Sequence, residues 1–268
     1  MNPSWVLNQA GNGPIAAVAL HDGHDVRQEV ADLMVISEAD RWREEDPFTA
    51  AWTTIADTQI VVKRSRFEFD FNRSRDKAIY IEPRDAWGLK VWRSAPSPEI
   101  IARSLAEYDA FYAHLERVFR DLERRHGRFV VFELHTYNHR RLGRKAKPAD
   151  PKYNPEINLG SATLDRDRWH PVIESFLSDL RNFDYFGRKL DVKENVKFYG
   201  GHFPTWVHQK FPHSACVLSI EVKKFFMDEW INEVDLEQLE AIRHALHSTV
   251  PGILKQLAIS DRNFSNVR

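Results

Sequence analysis

A long amphipathic stretch that runs straight into an apolar one constrains this chain more than any other feature. Ser97-Pro-Glu provides an N-cap residue and a proline for the first helical position. Ile100, Ile101, Leu105, Tyr108, Phe111, Tyr112, Leu115, Val118, Phe119 and Leu122 then recur at helical spacing to about His126, and Gly127 stops the pattern. Phe129 to Leu134 follows at once, rich in β-branched and aromatic residues, and reads as a strand buried on most of its surface. Strand–helix–strand alternation of this kind specifies the α/β class. In open α/β sheets, ligands and metals gather outside the carboxyl ends of the strands. His135 falls where this strand should end. A neutral imidazole there can bind a metal, with Glu133 or Thr136 orienting it; the alternative is a strand end that simply meets water.

The same design occurs earlier. Ile15-Ala-Ala-Val-Ala-Leu20 reads as a first buried strand after the turn signal Gly11-Asn-Gly-Pro14, and it too ends in histidine, His21-Asp-Gly-His24. Gly23 allows a tight turn or a close approach there. A helical pattern covers Val26 to about Met34, another covers Phe48 to Ala56, and Gln59 to Lys63 reads as a second strand. Asp46 stands before Pro47 as an N-cap, and its carboxylate can equally complete a His/His/carboxylate metal site. In Ser65 to Arg73, Phe67, Phe69 and Phe71 alternate with Glu68, Asp70 and Asn72, the pattern of a strand with one buried face. Its arginines can also hold a carboxylate in bidentate fashion.

Further along, Asp76 to Pro98 reads as a loop, and the basic run Arg140 to Lys147 as a solvated one. Ile157–Leu159 and Val192–Tyr199 are strand-like, an amphipathic helix covers about Arg166 to Phe183, and Thr205 to Phe211 forms a short helix. Gly200-Gly201 before His202 can be a turn or can let backbone approach a small substrate. Ala215 to Val222 is the most apolar strand, yet it contains Glu221 near its end. A carboxylate is costly inside such a strand unless paired or metal-facing, which makes Glu221 the leading candidate for a general base. Asp235 caps a last helix to about Val250, and a polar, loose tail follows Ser260.

Composition removes several classes. Hydrophobic content of 43% with 29% charged residues is that of a soluble globular protein. A net charge of −1, with both signs interspersed, gives no reason to expect nucleic acid or membrane as partner. The single Cys216 excludes an intramolecular disulfide framework and a thiolate zinc cage. No stretch has the length of a spanning helix or the pattern of a signal peptide, so a cytoplasmic enzyme is expected.

Several of these segments, taken in order, resemble the N-formylglutamate amidohydrolase family. They are the His21 turn, Ser-Arg-x-x-x-Asp-x-Asn-Arg at Ser65 to Arg73, Leu134-His-Thr136, Ile157-Asn-Leu-Gly160, Tyr199-Gly-Gly201, and Ile220-Glu-Val-Lys-Lys-Phe-Phe-Met-Asp-Glu229. The resemblance implies one catalytic domain over 1–268, with a three-layer, mixed but mostly parallel sheet and helices on both faces, of the zinc exopeptidase type. It implies a divalent metal, zinc favoured, on His21, His135 and an acidic residue of Glu44-Glu-Asp46, with Asp46 preferred and Glu45 as the alternative. Glu221 would be the general base. Arg73, with Arg66 and Asn72, would hold the carboxylate and amide oxygen of a small N-acyl amino acid, and Thr136, Gly200, Gly201 and His202 would complete the pocket. A deacylase or carboxypeptidase-like hydrolase, or a homologue that binds without turnover, uses the same frame. The chain departs from the family pattern at Leu20-His-Asp-Gly23, where Pro-His-Ser-Gly is usual, at Lys223-Lys224, where Asn-Arg is usual, and at His202, where an aromatic or aliphatic residue is usual.

Overall fold

The computed structural model describes residues 3–265, with side chains to residue 259. In chain order the elements are β1 (Val6–Gln9), β2 (Ile15–Ala19), α1 (Gln28–Ala31), α2 (Glu38–Glu44), α3 (Thr49–Trp52), β3 (Thr58–Val62), α4 (Pro98–His126), β4 (Phe129–Tyr137), β5 (Ile157–Gly160), α5 (Arg166–Asn182), β6 (Val192–Glu194), α6 (His202–Lys210) and β7 (Ala215–Lys223). A small antiparallel pair, β8 (Met227–Asp228) and β9 (Glu233–Val234), precedes α7 (Leu236–Ser248) and α8 (Val250–Ser265).

The first seven strands form one sheet in the order β1-β3-β2-β4-β7-β5-β6. β3, β2, β4 and β7 run parallel, β5 opposes β7, and β1 opposes β3. From β2 the chain moves outward to β3, then returns through α4 to place β4 on the other side of β2. The strand order therefore reverses between β2 and β4. At such a switch point the connections lead away in opposite directions and leave a crevice at the carboxyl ends.

Side chains alternate between two helical layers because the strand repeat is two residues. Val130, Phe132 and Leu134 of β4, with Cys216, Leu218, Ile220 and Val222 of β7, pack against α3, α5, α7 and α8. Phe129, Val131, Ala215 and Val217 pack against α4 and α6. On that second face the apolar lining stops, and the next positions are Glu133, His135, Ser219 and Glu221. A one-residue slip would exchange the two sets, so the burial of the apolar residues fixes where the polar ones emerge. Burial contributes roughly 1.5–3 kcal/mol per large apolar side chain, enough to hold that register.

The long helix matches its sequence signature: the Ser97 side chain accepts from Ile100 N, Pro98 is at the first position, and Gly127 ends it with φ 69°. Other expectations change. Ser65 to Arg73 is not a strand but a series of turns in which Glu68 and Asp70 are buried along with the three phenylalanines. Local hydrogen bonds replace a ladder, with Phe67 N donating to Ser65 Oγ and Asn72 N to Asp70 Oδ1. Strand β4 runs past His135 to Tyr137. β1 precedes the expected first strand, α1 is only four residues long, and α2 has no counterpart in the sequence reading. β6 ends at Glu194 because Asn195 turns the chain at φ 53°. Asp46 does not cap α3, whose Ala50 N donates instead to Asp22. The helical region after Asp235 is two helices, and the second extends to Ser265, past the point where a loose tail was expected. The rest of that tail, residues 266–268, lies outside the described residues.

His208 of α6 supplies a bond the sheet itself cannot. β5 pairs with β7 only as far as Ser219, and Val217 N donates to His208 Nε2 at 3.0 Å. Burial pushes this imidazole down to about 4 from an ordinary 6.5. The unfolded chain then binds more protons between these values, so stability is complete above about pH 6.5 and falls as pH drops toward 4. His208→Gln should flatten that fall, which is on the order of 2 kcal/mol between pH 7 and pH 5. Thermal midpoints of both proteins at pH 7 and pH 5 measure it, and equal slopes would exclude the assignment.

Candidate metal centre and active-site cavity

His21, Asp46 and His135 meet at the switch point, all three buried, with one potential ligand atom from each lying within 4.8 Å of the others. Each is placed by its own segment. His21 follows β2, and Gly23 just beyond it lies against β3, where a Cβ would come within 2.1 Å of the Lys63 carbonyl carbon. Asp46 N donates to His21 O at 2.9 Å, which ties the α2–α3 connection to the end of β2. Phe48 takes a left-handed φ of 73° in that connection, the kind of strain that persists where surrounding structure over-determines it. His135 comes from β4.

The donor set is consistent with a cation. Asp46 Oδ2 lies 3.3 Å from His21 Nδ1 and 2.9 Å from His135 Nδ1, while Thr136 Oγ1 donates to Asp46 Oδ1 at 3.0 Å. Behind the rings, His21 Nε2 is 2.7 Å from Asp70 Oδ1 and His135 Nε2 is 3.0 Å from Glu133 Oε1. Carboxylates behind both rings favour protons on the Nε2 atoms. The two Nδ1 lone pairs and an Asp46 oxygen then face one another, and protons or a cation must lie between them. Burial penalises charge on Asp46, yet His135 and His21 hold its carboxyl far below the usual range. Burial likewise opposes charge on His135, but Glu133 and Asp46 outweigh it and raise that imidazole well above its ordinary value. Two histidines and one carboxylate are a donor set that would suit a divalent ion and leave room on it for a water.

The triad opens into a cavity of about 240 Å³. Glu221 stands beside His135, its register partner on β7, and lines the same space. Among the described residues its carboxylate has no hydrogen-bond partner. Burial pushes it up to about 8, with Asp46 and Glu133 adding to the rise. Lys224, also on the wall, donates to the carbonyls of Arg43 and Glu45 at 2.6 and 2.8 Å, and burial lowers it to about 8. The opposite strand neighbour, β5, holds the 196–201 segment in place, since Asn158 Oδ1 accepts from Val196, Lys197 and Phe198 N. Gly160 allows that approach: a Cβ there would lie 2.7 Å from Gly200 N.

Of the other residues singled out in the sequence, Arg66, Asn72, Arg73, Thr136, Gly200 and Gly201 line the cavity, and His202 does not. His202 packs edge-on to Tyr112. Glu45 is not in the triad; it is bound to His24 Nδ1 and Ser65 Oγ. Arg73 is about one-third exposed and spends one donor on Asp85 O at 2.7 Å. The sequence reading missed Arg141, which reaches the cavity wall and pairs with Glu44 at 3.2 Å. The signal was only a basic run, and a run does not show which member turns inward.

Compared with known families, residues 14–227 match the one described as N-formylglutamate amidohydrolase. The chain belongs to that family. Solved structures agree on the fold. The N-formylglutamate amidohydrolase from Ralstonia eutropha JMP134 is 14% identical, with 95% of this chain and 99% of that one covered and a TM-score of 0.74. A gene product of Agrobacterium tumefaciens is 17% identical, with 96% of each chain covered and a TM-score of 0.64. The curated proteins contain no sequence match. The seven-stranded, mostly parallel sheet with helices on both faces is the architecture expected for the family, and no helix among the described residues is long and apolar enough to cross a membrane.

Proposed function

We propose that this protein is a metal-dependent amidohydrolase that cleaves the amide of a small N-acyl amino acid, N-formyl-L-glutamate-like, to release formate and the amino acid. The observation that carries this reading is the pairing of a buried His-Asp-His set with an unpartnered Glu221 across one small cavity. His21, Asp46 and His135 would hold a divalent ion, zinc favoured by the donor set, whose Lewis acidity would lower the pKa of a water and polarise the amide carbonyl. Glu221 takes the proton from the attacking water and returns it to the amide nitrogen as the C–N bond breaks. Without metal, burial pushes this carboxyl up to about 8; a divalent cation beside it would lower that value, toward one that both accepts and returns a proton near neutral pH. Arg73 holds the substrate carboxylate and so fixes the amide over the triad. Gly200 and Gly201 keep that part of the wall free of side chains.

Formate release from a panel of N-formyl and N-acetyl amino acids by zinc-loaded protein tests the reading. Turnover of N-formyl acidic amino acids is expected; bound zinc with no turnover of any amide would leave a binding protein instead. Arg73→Ala should raise KM by about 10- to 100-fold with a much smaller change in kcat, as expected for a lost charge-assisted contact. Unchanged kinetics would remove Arg73 from the carboxylate site.

A further inference from the structure

Arg66 is grouped with Arg73 by the sequence, but the two arginines are used differently. Arg66 Nη2 donates to Asp70 Oδ2 at 2.8 Å, Nε to Tyr80 Oη at 3.0 Å and Nη1 to Glu44 O at 3.2 Å. Each guanidinium nitrogen is thus committed within the protein, and the side chain is only 13% exposed. Tyr80 is buried, and its hydroxyl donates to the same Asp70 oxygen. The other oxygen of Asp70 accepts from His21 Nε2 at 2.7 Å and from Asn72 N at 2.7 Å. Asp70 therefore has both oxygens doubly held, in one orientation, with Oδ1 turned to the histidine ring, while Arg73 Nε stays further off, 3.8 Å from Oδ2.

We infer that Arg66 and Tyr80 act on the metal centre rather than on the substrate, by fixing Asp70 so that His21 keeps its proton on Nε2 and presents Nδ1 to the ion. They are positioning residues. The inference rests on the metal reading above and deepens it, since it reassigns one of the two arginines of the Ser65–Arg73 segment. The counterpart at His135 is simpler: Glu133 holds the ring and receives a hydrogen bond from Ser219 Oγ, without a cation.

The test is the zinc dissociation constant, measured by competition with a chromophoric chelator, together with ¹⁵N shifts that report the His21 tautomer. Loss of outer partners of this kind weakens metal binding by about 10- to 100-fold. Arg66→Met should fall in that range and mix the His21 tautomers, and Arg66→Lys, which keeps a donor and a charge beside Asp70, should recover part of the loss. Tyr80→Phe removes one hydroxyl and no charge, and serves where Arg66→Met does not fold; about a 10-fold loss is expected. Arg75→Ala, which removes an exposed guanidinium paired with Asp109 and not with Asp70, should leave zinc affinity within about twofold. Unchanged zinc affinity and tautomer in Tyr80→Phe and Arg66→Met would overturn the inference while the metal reading stood. A wild type that binds no zinc would overturn the metal reading itself, and the inference with it.

Discussion

Glu221→Gln should lower the rate of amide hydrolysis by about 10²- to 10⁴-fold while leaving zinc in place. Glutamine has the same shape and can still accept a hydrogen bond from water, but it cannot take a proton and give it back. Glu221 is beside the triad rather than in it, so the ligand set should survive the change. The same variant should be more stable than the wild type before metal is added. A half-buried carboxylate that faces the cavity without a hydrogen-bond partner is unfavourable, and the raised pKa of this one, to about 8, reflects that cost. Removing it should stabilise the metal-free fold on the order of 1 kcal/mol, or about 2–4 °C in Tm. Single-turnover formate release, zinc content and thermal midpoint together decide the matter. Full activity in the variant would refute the base assignment, and a lost metal would mean that Glu221 belongs to the ligand set.

The parts of this arrangement that depend on local pattern were legible in the sequence. Ser97, Pro98 and Gly127 mark α4 at both ends, and the apolar runs at 15–20, 129–134 and 215–222 mark three strands of the parallel core. His21, His135 and Glu221 could be chosen because each is a polar interruption where an apolar strand gives out. What pattern cannot show is contact at long range. The alternation Phe67, Phe69, Phe71 has the period of a strand, yet the intervening Asp70 is buried because His21, Arg66 and Tyr80 surround it, and none of these is its strand neighbour. Asp46 had the sequence of a helix cap, but Asp22 caps that helix and frees Asp46 for the two histidines. Local propensity was satisfied by another residue, so the competition between the two roles could be settled only by tertiary structure. Arg141 illustrates the same limit from the other side, being one of five basic residues in an eight-residue run and among those lining the cavity.

Metal content gives the sharpest separation between the proposed chemistry and its absence. Wild-type protein should carry about one zinc per chain, and His135→Ala should carry none after the same loading, because two of three protein ligands rarely hold zinc against a competing chelator. Hydrolysis should fall by at least about 10³-fold in that variant, since the Lewis acid is lost along with the group that binds it. The substitution also leaves Glu133 buried with only Ser219 as a partner, which costs roughly 1–3 kcal/mol and could by itself disturb the site. His208→Ala controls for this. That variant leaves Val217 N without its acceptor, and the change lies on α6, outside the triad. It should lose comparable stability and keep its zinc. Loss of zinc in both variants would mean that metal retention follows general stability and not ligation by His135. A wild type that takes up no zinc would mean that protons, rather than a cation, hold the three facing atoms together, and the cavity would then have to work without the Lewis acid on which the proposed hydrolysis depends.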